Sequence, residues 1–296
     1  MSHFLMSEPL NTVEEVPNAR RKVFFGLFVF PMLIAVTMAI LLSGIVLLTH
    51  EEETPETLIT AIKTGAPSKR WQKAFELSNE LNREGALLRS AGIMNEVIHV
   101  LNDKDHYDAK TRAYMAMALS RFRTPEAEAA LKVALQAADD SEDPKLVLFL
   151  IWGVGSFERS DSANEIAHFL ESEHDDLRKA SAYVLGALKN KEMVPKLERT
   201  LEDSVVDVRW NSALSLARLG SGSGREILLQ MVDRKYLNQV DDLKEEEIER
   251  IMVNALKALG LIRDSETQKI LEQLSQSDPN LKVRQAALSA ITVGNV

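Results

Sequence analysis

Apolar and polar residues alternate with a helical period over most of the chain. The stretch DVRWNSALSLARLG, residues 207–220, carries apolar side chains at spacings of three and four, which is the pattern of a helix with one buried face. Looser copies lie at 176–188 and 110–122. Gly and Pro are sparse between these segments, and runs of β-branched residues are absent. The pattern therefore predicts an all-α fold.

The helical pattern repeats at intervals of 42, 33, 33, 31, 40 and 35 residues. Each repeat has an anchor residue, usually basic, which opens a helix and is followed by small residues at the third and fourth places. A second amphipathic segment lies between successive anchors. Such a hairpin cannot cover its own apolar face, so neighbouring hairpins must stack. The sequence predicts an α-solenoid of six to seven helical hairpins over residues 57–296. Its anchors are Arg70, Arg112, Lys145, Arg178, Arg209, Glu249 and Arg284.

Small residues recur at the fourth place after the anchor, where a core helix normally carries bulky ones. Ala116, Ala182 and Ala213 are the examples. We expect adjacent helices to approach most closely at these places. The interval of 40 residues also contains an insertion, residues 233–244, which we expect to form a loop.

The segments 207–220 and 176–188 resemble HEAT repeats, particularly the short class named after phycobilisome lyases. The resemblance covers about residues 68–294. It implies a ladder of hydrogen bonds between Asp and Arg residues that links successive repeats. The implied acceptors are Asp176 and Asp207, and the implied donors are Arg112, Arg178, Arg209 and Arg284. The chain departs from the family pattern at Lys145 and Glu249, which leaves the ladder open there.

The resemblance also implies that the second helix of each hairpin lines a concave surface. The fifth place after the anchor, usually polar in the family, is apolar or aromatic in five of the seven repeats. We therefore predict a partner-binding stripe, since exposed aromatic and Met side chains are typical of recognition surfaces. A register shifted by one residue would instead place the same side chains in the core. The predicted stripe consists of Trp71, Phe75, Tyr114, Met117, Leu150, Tyr183, Trp210 and Leu214.

One segment near the N-terminus differs from the rest in composition. Residues 23–48 are apolar without a single charge, and such a helix exceeds the ~30 Å hydrocarbon core of a bilayer. We predict a transmembrane anchor at 23–48, a disordered tail at 1–22 and a linker at 49–56. The alternative is a cleaved signal peptide, but its apolar region is ordinarily only ~7–15 residues long.

The charges that flank this segment predict its orientation. Arg20, Arg21 and Lys22 precede it, and Glu51, Glu52 and Glu53 follow it. The positive-inside rule then keeps the N-terminus cytoplasmic. We expect a single-pass protein of a bacterial inner membrane with its C-terminal domain in the periplasm.

Composition excludes several classes of function. The net charge of -9 and pI near 5.3 argue against a nucleic-acid partner, and the absence of Cys removes thiolate chemistry. The turn near His99 and His106 is rich in Asp, and a metal cluster there is the alternative to an ordinary turn. The sequence shows no convincing arrangement of a catalytic nucleophile with a general base. We therefore expect no catalytic residues, no metal, no cofactor and no small-molecule substrate.

These patterns together predict a protein-binding function and not an enzyme. We expect a membrane-anchored scaffold or accessory subunit that mediates protein–protein interaction in a membrane or envelope complex. Two alternatives stay open. The resemblance implies a bilin lyase or isomerase, and the array is also compatible with a subunit that only braces a complex.

Overall fold

The computed structural model describes residues 24–49, 54–82, 90–262 and 264–293, and these contain helices and no strand. The chain divides into two units, residues 1–53 and residues 54–296. The predicted tail at 1–22 lies outside the described residues. The all-α prediction is confirmed, and the second unit is a stack of helical hairpins.

In the first unit, the described residues 24–49 form one long apolar helix. A π-helical turn at Phe25–Val29 leads directly into α1, Phe30–Thr49. The stretch Phe25–Ile45 has a mean hydropathy of 2.5, and none of it is buried inside the protein. Its length and composition fit a membrane span, and they also fit a signal sequence.

The described residues of the second unit form seven hairpins, and each has a first and a second helix. The first helices are α2 Pro55–Thr64, α4 Ala91–Asn102, α6 Pro125–Ala137, α8 Ala163–Ala167, α10 Val194–Arg199, α12 Arg225–Gln230 with α13 Arg234–Leu237, and α15 Ser265–Ser277. The second helices are α3 Pro67–Glu80, α5 Ala109–Leu119, α7 Pro144–Gly155, α9 Asp175–Ala187, α11 Val206–Arg218, α14 Glu245–Leu259 and α16 Leu281–Val293. Short 3₁₀ turns extend α8 and α10: Ser160–Ser162, His168–Glu171, Lys191–Met193 and Thr200–Glu202.

Capping residues decide where the helices begin. Thr54 and Thr57 form a reciprocal capping box in which each side-chain oxygen accepts a hydrogen bond from the other residue's backbone N–H. The first hairpin therefore begins at Pro55, two residues before the predicted start of the solenoid. Asp108 and Asp264 cap α5 and α15 in a similar way, by accepting from backbone N–H groups of the first turn.

Small side chains allow successive second helices to touch. Ala116, Ala182 and Ala213 are fully buried, as expected for places of closest approach. A Cβ atom on Gly186 would overlap Ser215 of the next second helix. The Ser215 hydroxyl, in turn, donates a hydrogen bond of 2.7 Å back across the interface to the carbonyl of Ala182.

One ion pair of the implied ladder is present, but with a different acceptor. The Arg178 guanidinium binds both carboxylate oxygens of Asp203, at 2.8 and 3.0 Å, and thereby links the fourth hairpin to the fifth. The hydrogen bond from Arg178 lowers the pKa of Asp203. Arg178 also donates to the carbonyls of Ser172 and Glu173 in the turn before α9. Asp203 serves as the acceptor because it closes the turn that faces Arg178, six residues before the next anchor.

The assignment of Asp176 and Asp207 as ladder acceptors was wrong. The Asp176 carboxylate binds Lys179 on its own helix at 2.7 Å, and Asp207 lies 3.9 Å from the same Lys. Both side chains lie in the first turn of a helix, and their exposed fractions are 65% for Asp176 and 50% for Asp207. The three remaining donors bind backbone carbonyls of their own hairpins: Arg112 that of Leu101, Arg209 those of Asp203 and Ser204, and Arg284 those of Asp278 and Pro279.

The anchor position of the sixth hairpin holds Glu249 in place of an Arg, and the insertion supplies the guanidinium instead. Arg234, in the short helix α13 of the insertion, binds both carboxylate oxygens of Asp278 at 2.9 Å. Asp278 occupies the same place before Arg284 that Asp203 occupies before Arg209. Glu249 accepts hydrogen bonds from Asn280 and Lys282 at 2.8 and 2.7 Å, so the polarity of this link is reversed.

We predict that Arg234→Gln destabilises the last two hairpins by about 2–4 kcal/mol, because the Asp278 side chain is 2% exposed and would lose its charged partner. Hydrogen exchange in α15 and α16, together with urea unfolding, measures this effect. Arg250→Gln is the matched control, since Arg250 is 72% exposed and 4.0 Å from its nearest carboxylate. Equal exchange in the two variants would contradict a linking role for Arg234.

Candidate protein-binding surface

The second helices form a continuous layer in the first five hairpins. α3 packs on α5, α5 on α7, α7 on α9 and α9 on α11. Side chains on the face of this layer that is opposite to the first helices therefore lie next to one another across repeat boundaries.

Six aromatic side chains cross this layer, and we call them the aromatic row. In the α3–α5–α7 part, the Tyr114 ring lies 6.3 Å from that of Trp71, 5.4 Å from Phe75 and 5.5 Å from Phe149, measured between centroids. In the α7–α9 part, the Trp152 and Tyr183 rings lie 5.3 Å apart. Rings at these separations attract each other beyond the area that they bury. The aromatic row consists of Trp71, Phe75, Tyr114, Phe149, Trp152 and Tyr183.

The aromatic row is open to solvent at three of its members. Phe75 is 45% exposed, Trp152 40% and Tyr183 37%. Trp71, Tyr114 and Phe149 are partly buried between them. A soluble surface rarely leaves neighbouring aromatic side chains this accessible unless they contact another molecule.

Five members of the predicted stripe lie on this face, and three do not. Trp71, Phe75, Tyr114, Met117 and Tyr183 are exposed or partly exposed. The other three belong to the core, so the prediction that they line the surface was wrong. Their exposed fractions are 0% for Leu150, 5% for Trp210 and 8% for Leu214.

Leu150 was misplaced because Lys145 is not the structural equivalent of the other anchors. Gly155 and Gly186 make equivalent close approaches to the next second helix, and they are 31 residues apart. The counterpart of Arg178 is therefore Val147, and the fifth place after it is Trp152. An alignment of the repeats on these glycines places Trp152 and Phe149 on the surface of the second helices, and the predicted stripe omits both.

Trp210 and Leu214 are buried because α11 separates two apolar cores. Leu216 and Leu219 of this helix belong to the core of the first five hairpins, whereas Trp210 and Leu214 belong to the core of the last three. The insertion, expected to be a passive loop, adds the fully buried Leu237 to that second core. Trp210 therefore has a packing role.

Cations lie on the faces of the rings at both ends of the aromatic row. The Lys110 ammonium lies 3.0 Å from the centroid of the Trp71 ring, and the Arg218 guanidinium 4.9 Å from that of Tyr183. On α9, the Lys179 ammonium donates a hydrogen bond to the Asp176 carboxylate, and this bond raises the pKa of Lys179. The face thus offers aromatic surface together with positive charge.

The turn considered as a metal site contains one local pair. The Nδ1 atom of His106 lies 2.9 Å from the Asp103 carboxylate, which also accepts the His106 backbone N–H. No group of three or more His, Asp or Glu side chains suited to a metal ion occurs in the described ranges. This geometry is that of a capped turn.

We predict that Trp210→Ala lowers the free energy of unfolding by about 3–5 kcal/mol, as for other buried Trp side chains. Trp152→Ala should cost only about 1–2 kcal/mol, because much of its ring is already in water. Thermal and urea unfolding followed by circular dichroism measure both. Trp210→Phe is the control: the Trp210 Nε1 has no hydrogen-bond partner within the described residues, so the cost should be about 1 kcal/mol. Similar losses for Trp210→Ala and Trp152→Ala would refute the burial difference.

Comparisons with known proteins agree with this architecture. The sequence profile of HEAT repeats matches residues 131–217 and 163–240. No curated protein sequence matches the chain. Among solved structures, the chain is similar to the complex of CpcE and CpcF of phycocyanin lyase from Nostoc sp. PCC7120, with a TM-score of 0.53, 16% identity and coverage of 83% of this chain and 96% of that one. A designed armadillo repeat protein is also similar, with a TM-score of 0.38, 15% identity and coverage of 82% and 100%. At these identities the likeness concerns the fold alone, and the sequence match identifies HEAT repeats within residues 131–240 of this chain.

Proposed function

We propose that this protein is a membrane-tethered scaffold that binds a protein partner through the aromatic row. The observation that carries the proposal is the run of contacting, partly exposed rings across four consecutive second helices. Aromatic side chains of this kind are the favoured anchors of protein interfaces.

The rigidity of the row supports binding. Each ring contacts another ring, and the helices that carry them are held by buried small residues such as Ala116 and Ala182. Little side-chain freedom remains to be lost when a partner docks, which favours affinity. A specific interface needs about 800 Å² per partner, and a layer of several helices offers an area of that order.

The packing of the two layers supports a concave binding face. Successive second helices pack directly along one another, whereas successive first helices touch over shorter stretches. In a curved stack the helices that approach most closely lie on the inner side. The aromatic row would then follow the inner curve, where one partner segment can touch several repeats.

The N-terminal helix supports attachment to a membrane. Phe25–Ile45 is long enough to span a bilayer, and Arg20, Arg21 and Lys22 precede the span. These charges favour a cytoplasmic N-terminus, an exported repeat domain and a bacterial inner-membrane location. The anchor would hold the scaffold beside membrane or envelope complexes.

The alternatives have less support. A bilin lyase or isomerase activity rests on a similar fold, and one fold hosts many functions. A purely bracing subunit would not require accessible rings such as Trp152 and Tyr183 on the layer opposite to the first helices.

The binding face can be tested by photo-crosslinking in cells. With benzoylphenylalanine placed at position 152 or 183 of the full chain, we expect a discrete crosslinked product. Position 133 is the matched control, since Val133 is 59% exposed but lies on the first helix α6. Phe75→Ser in the same chain should weaken the product from position 183 about tenfold, as loss of one aromatic anchor does. Equal products from 133 and 152, or none from 152 and 183, would refute binding at the row.

Topology can be tested separately with reporter fusions. Alkaline phosphatase fused after Val296 should be active, and β-galactosidase at the same position inactive, if the repeat domain is exported. An epitope placed before Arg20 should remain on the full-length membrane-bound chain if the helix is an uncleaved anchor. The reverse reporter pattern, or loss of the epitope, would overturn the orientation or the anchor respectively.

A further inference from the structure

Charge is distributed unevenly between the two helix layers of the first five hairpins. The second helices α3, α5, α7, α9 and α11 carry ten Lys and Arg residues against five Asp and Glu residues. The first helices of the same hairpins, with their 3₁₀ turns, carry ten acidic residues against five basic ones. The layer that carries the aromatic row is therefore basic in a protein whose net charge is -9.

Two of the five carboxylates of the basic layer form close ion pairs within it. Glu76 binds Lys73 at 2.7 Å, and Asp176 binds Lys179 at 2.7 Å. By contrast, no carboxylate of the described residues lies within salt-bridge distance of three further cations in or directly after these helices. These are Lys110, Arg121 and Arg218.

Two of these cations lie on rings at the two ends of the aromatic row. Lys110 covers the Trp71 ring and Arg218 the Tyr183 ring. Arg121 lies in the turn directly after α5, two residues beyond the last helical residue, Leu119. The Arg121 Nε atom is buried and has no hydrogen-bond partner in the described part of the chain.

Cations on ring faces remain able to bind anions. A guanidinium stacked on an aromatic ring keeps its N–H groups at its edge, where a carboxylate can accept two of them. The rings themselves offer apolar surface between the cations. The face therefore complements a ligand that carries carboxylates interspersed with apolar side chains.

Resting on the proposed function, we infer that the partner presents an extended acidic segment to the aromatic row. The four intervals from α3 to α11, at ~9–10 Å each, span about 35–40 Å, which is about the length of 12 extended residues. Carboxylates of that segment bind Lys110, Arg121 and Arg218, and its apolar side chains pack on Phe75, Trp152 and Tyr183. The excess of positive charge on this layer also speeds the approach of an acidic segment.

Peptide selection on the full chain tests this inference. The chain is placed in phosphatidylcholine nanodiscs, and random dodecapeptides displayed on phage are selected on it after depletion on empty nanodiscs. We expect the recovered peptides to be enriched in Asp and Glu together with aliphatic or aromatic residues. Enrichment in Lys and Arg, or no charge bias, would overturn the acidic assignment while leaving peptide binding at the row intact. Failure to recover any peptide above the empty nanodiscs would count against the proposed function itself.

Two matched triple variants locate the charge effect. Fluorescence anisotropy with a recovered peptide should show roughly tenfold weaker binding to Lys110→Gln/Arg121→Gln/Arg218→Gln, from three exposed ion pairs. Lys191→Gln/Lys196→Gln/Arg199→Gln removes three cations from the first-helix layer and should change binding less than about twofold, after correction for overall charge. Equal losses in the two triples, with melting temperatures unchanged, would refute the assignment. Tighter binding to phosphatidylserine vesicles than to the peptides, lost in the first triple, would assign the face to an anionic membrane and overturn the proposal.

Discussion

Close approach of successive second helices is the constraint on which the rest of this structure depends. At Gly186 and Ser215 two helix backbones come so near that a single added methyl group would force them apart. The hydrogen bond from Ser215 to the Ala182 carbonyl crosses the same contact. Since each hairpin leaves one apolar face uncovered, these contacts convert marginal units into one continuous core.

The same constraint decides where large side chains can go. Places that face the next helix accept only small residues, so bulky aromatic residues of the second helices are confined to the interior between layers or to the outer edge. Trp210 takes the first of these positions, because α11 is covered by a core on either side. Trp152 and Tyr183 take the second, where neighbouring repeats bring their rings together. The aromatic row thus arises as a consequence of the stacking geometry. The cations that lie on the rings at its two ends add positive charge to it.

The insertion shows how an array compensates for an irregular repeat. Glu249 stands where other repeats carry an anchor of positive charge, and this would leave the buried carboxylate of Asp278 without a guanidinium. Arg234 reaches it from an inserted helix, and Leu237 of the same helix completes the core. A segment that reads as a loop is therefore part of the structure that joins the last three hairpins.

The sequence alone established the helical class and the repeat, and it limited the number of hairpins to six or seven, because helical periodicity and small residues at fixed places are local patterns. It also indicated the face that carries Phe75 and Tyr183, since their places follow from a clear anchor. It could not determine the register of α7, where Lys145 fits the anchor pattern but lies two residues before Val147, the structural equivalent of the other anchors. Nor could it show that Asp203 replaces Asp176 and Asp207 as an acceptor, or that Arg234 meets Asp278. Those pairings join residues 25 and 44 positions apart, and only the stacking of hairpins brings them together. Burial of Trp210 was likewise decided by tertiary packing, because the same helical position is exposed or buried according to which side chains the next hairpin places against it.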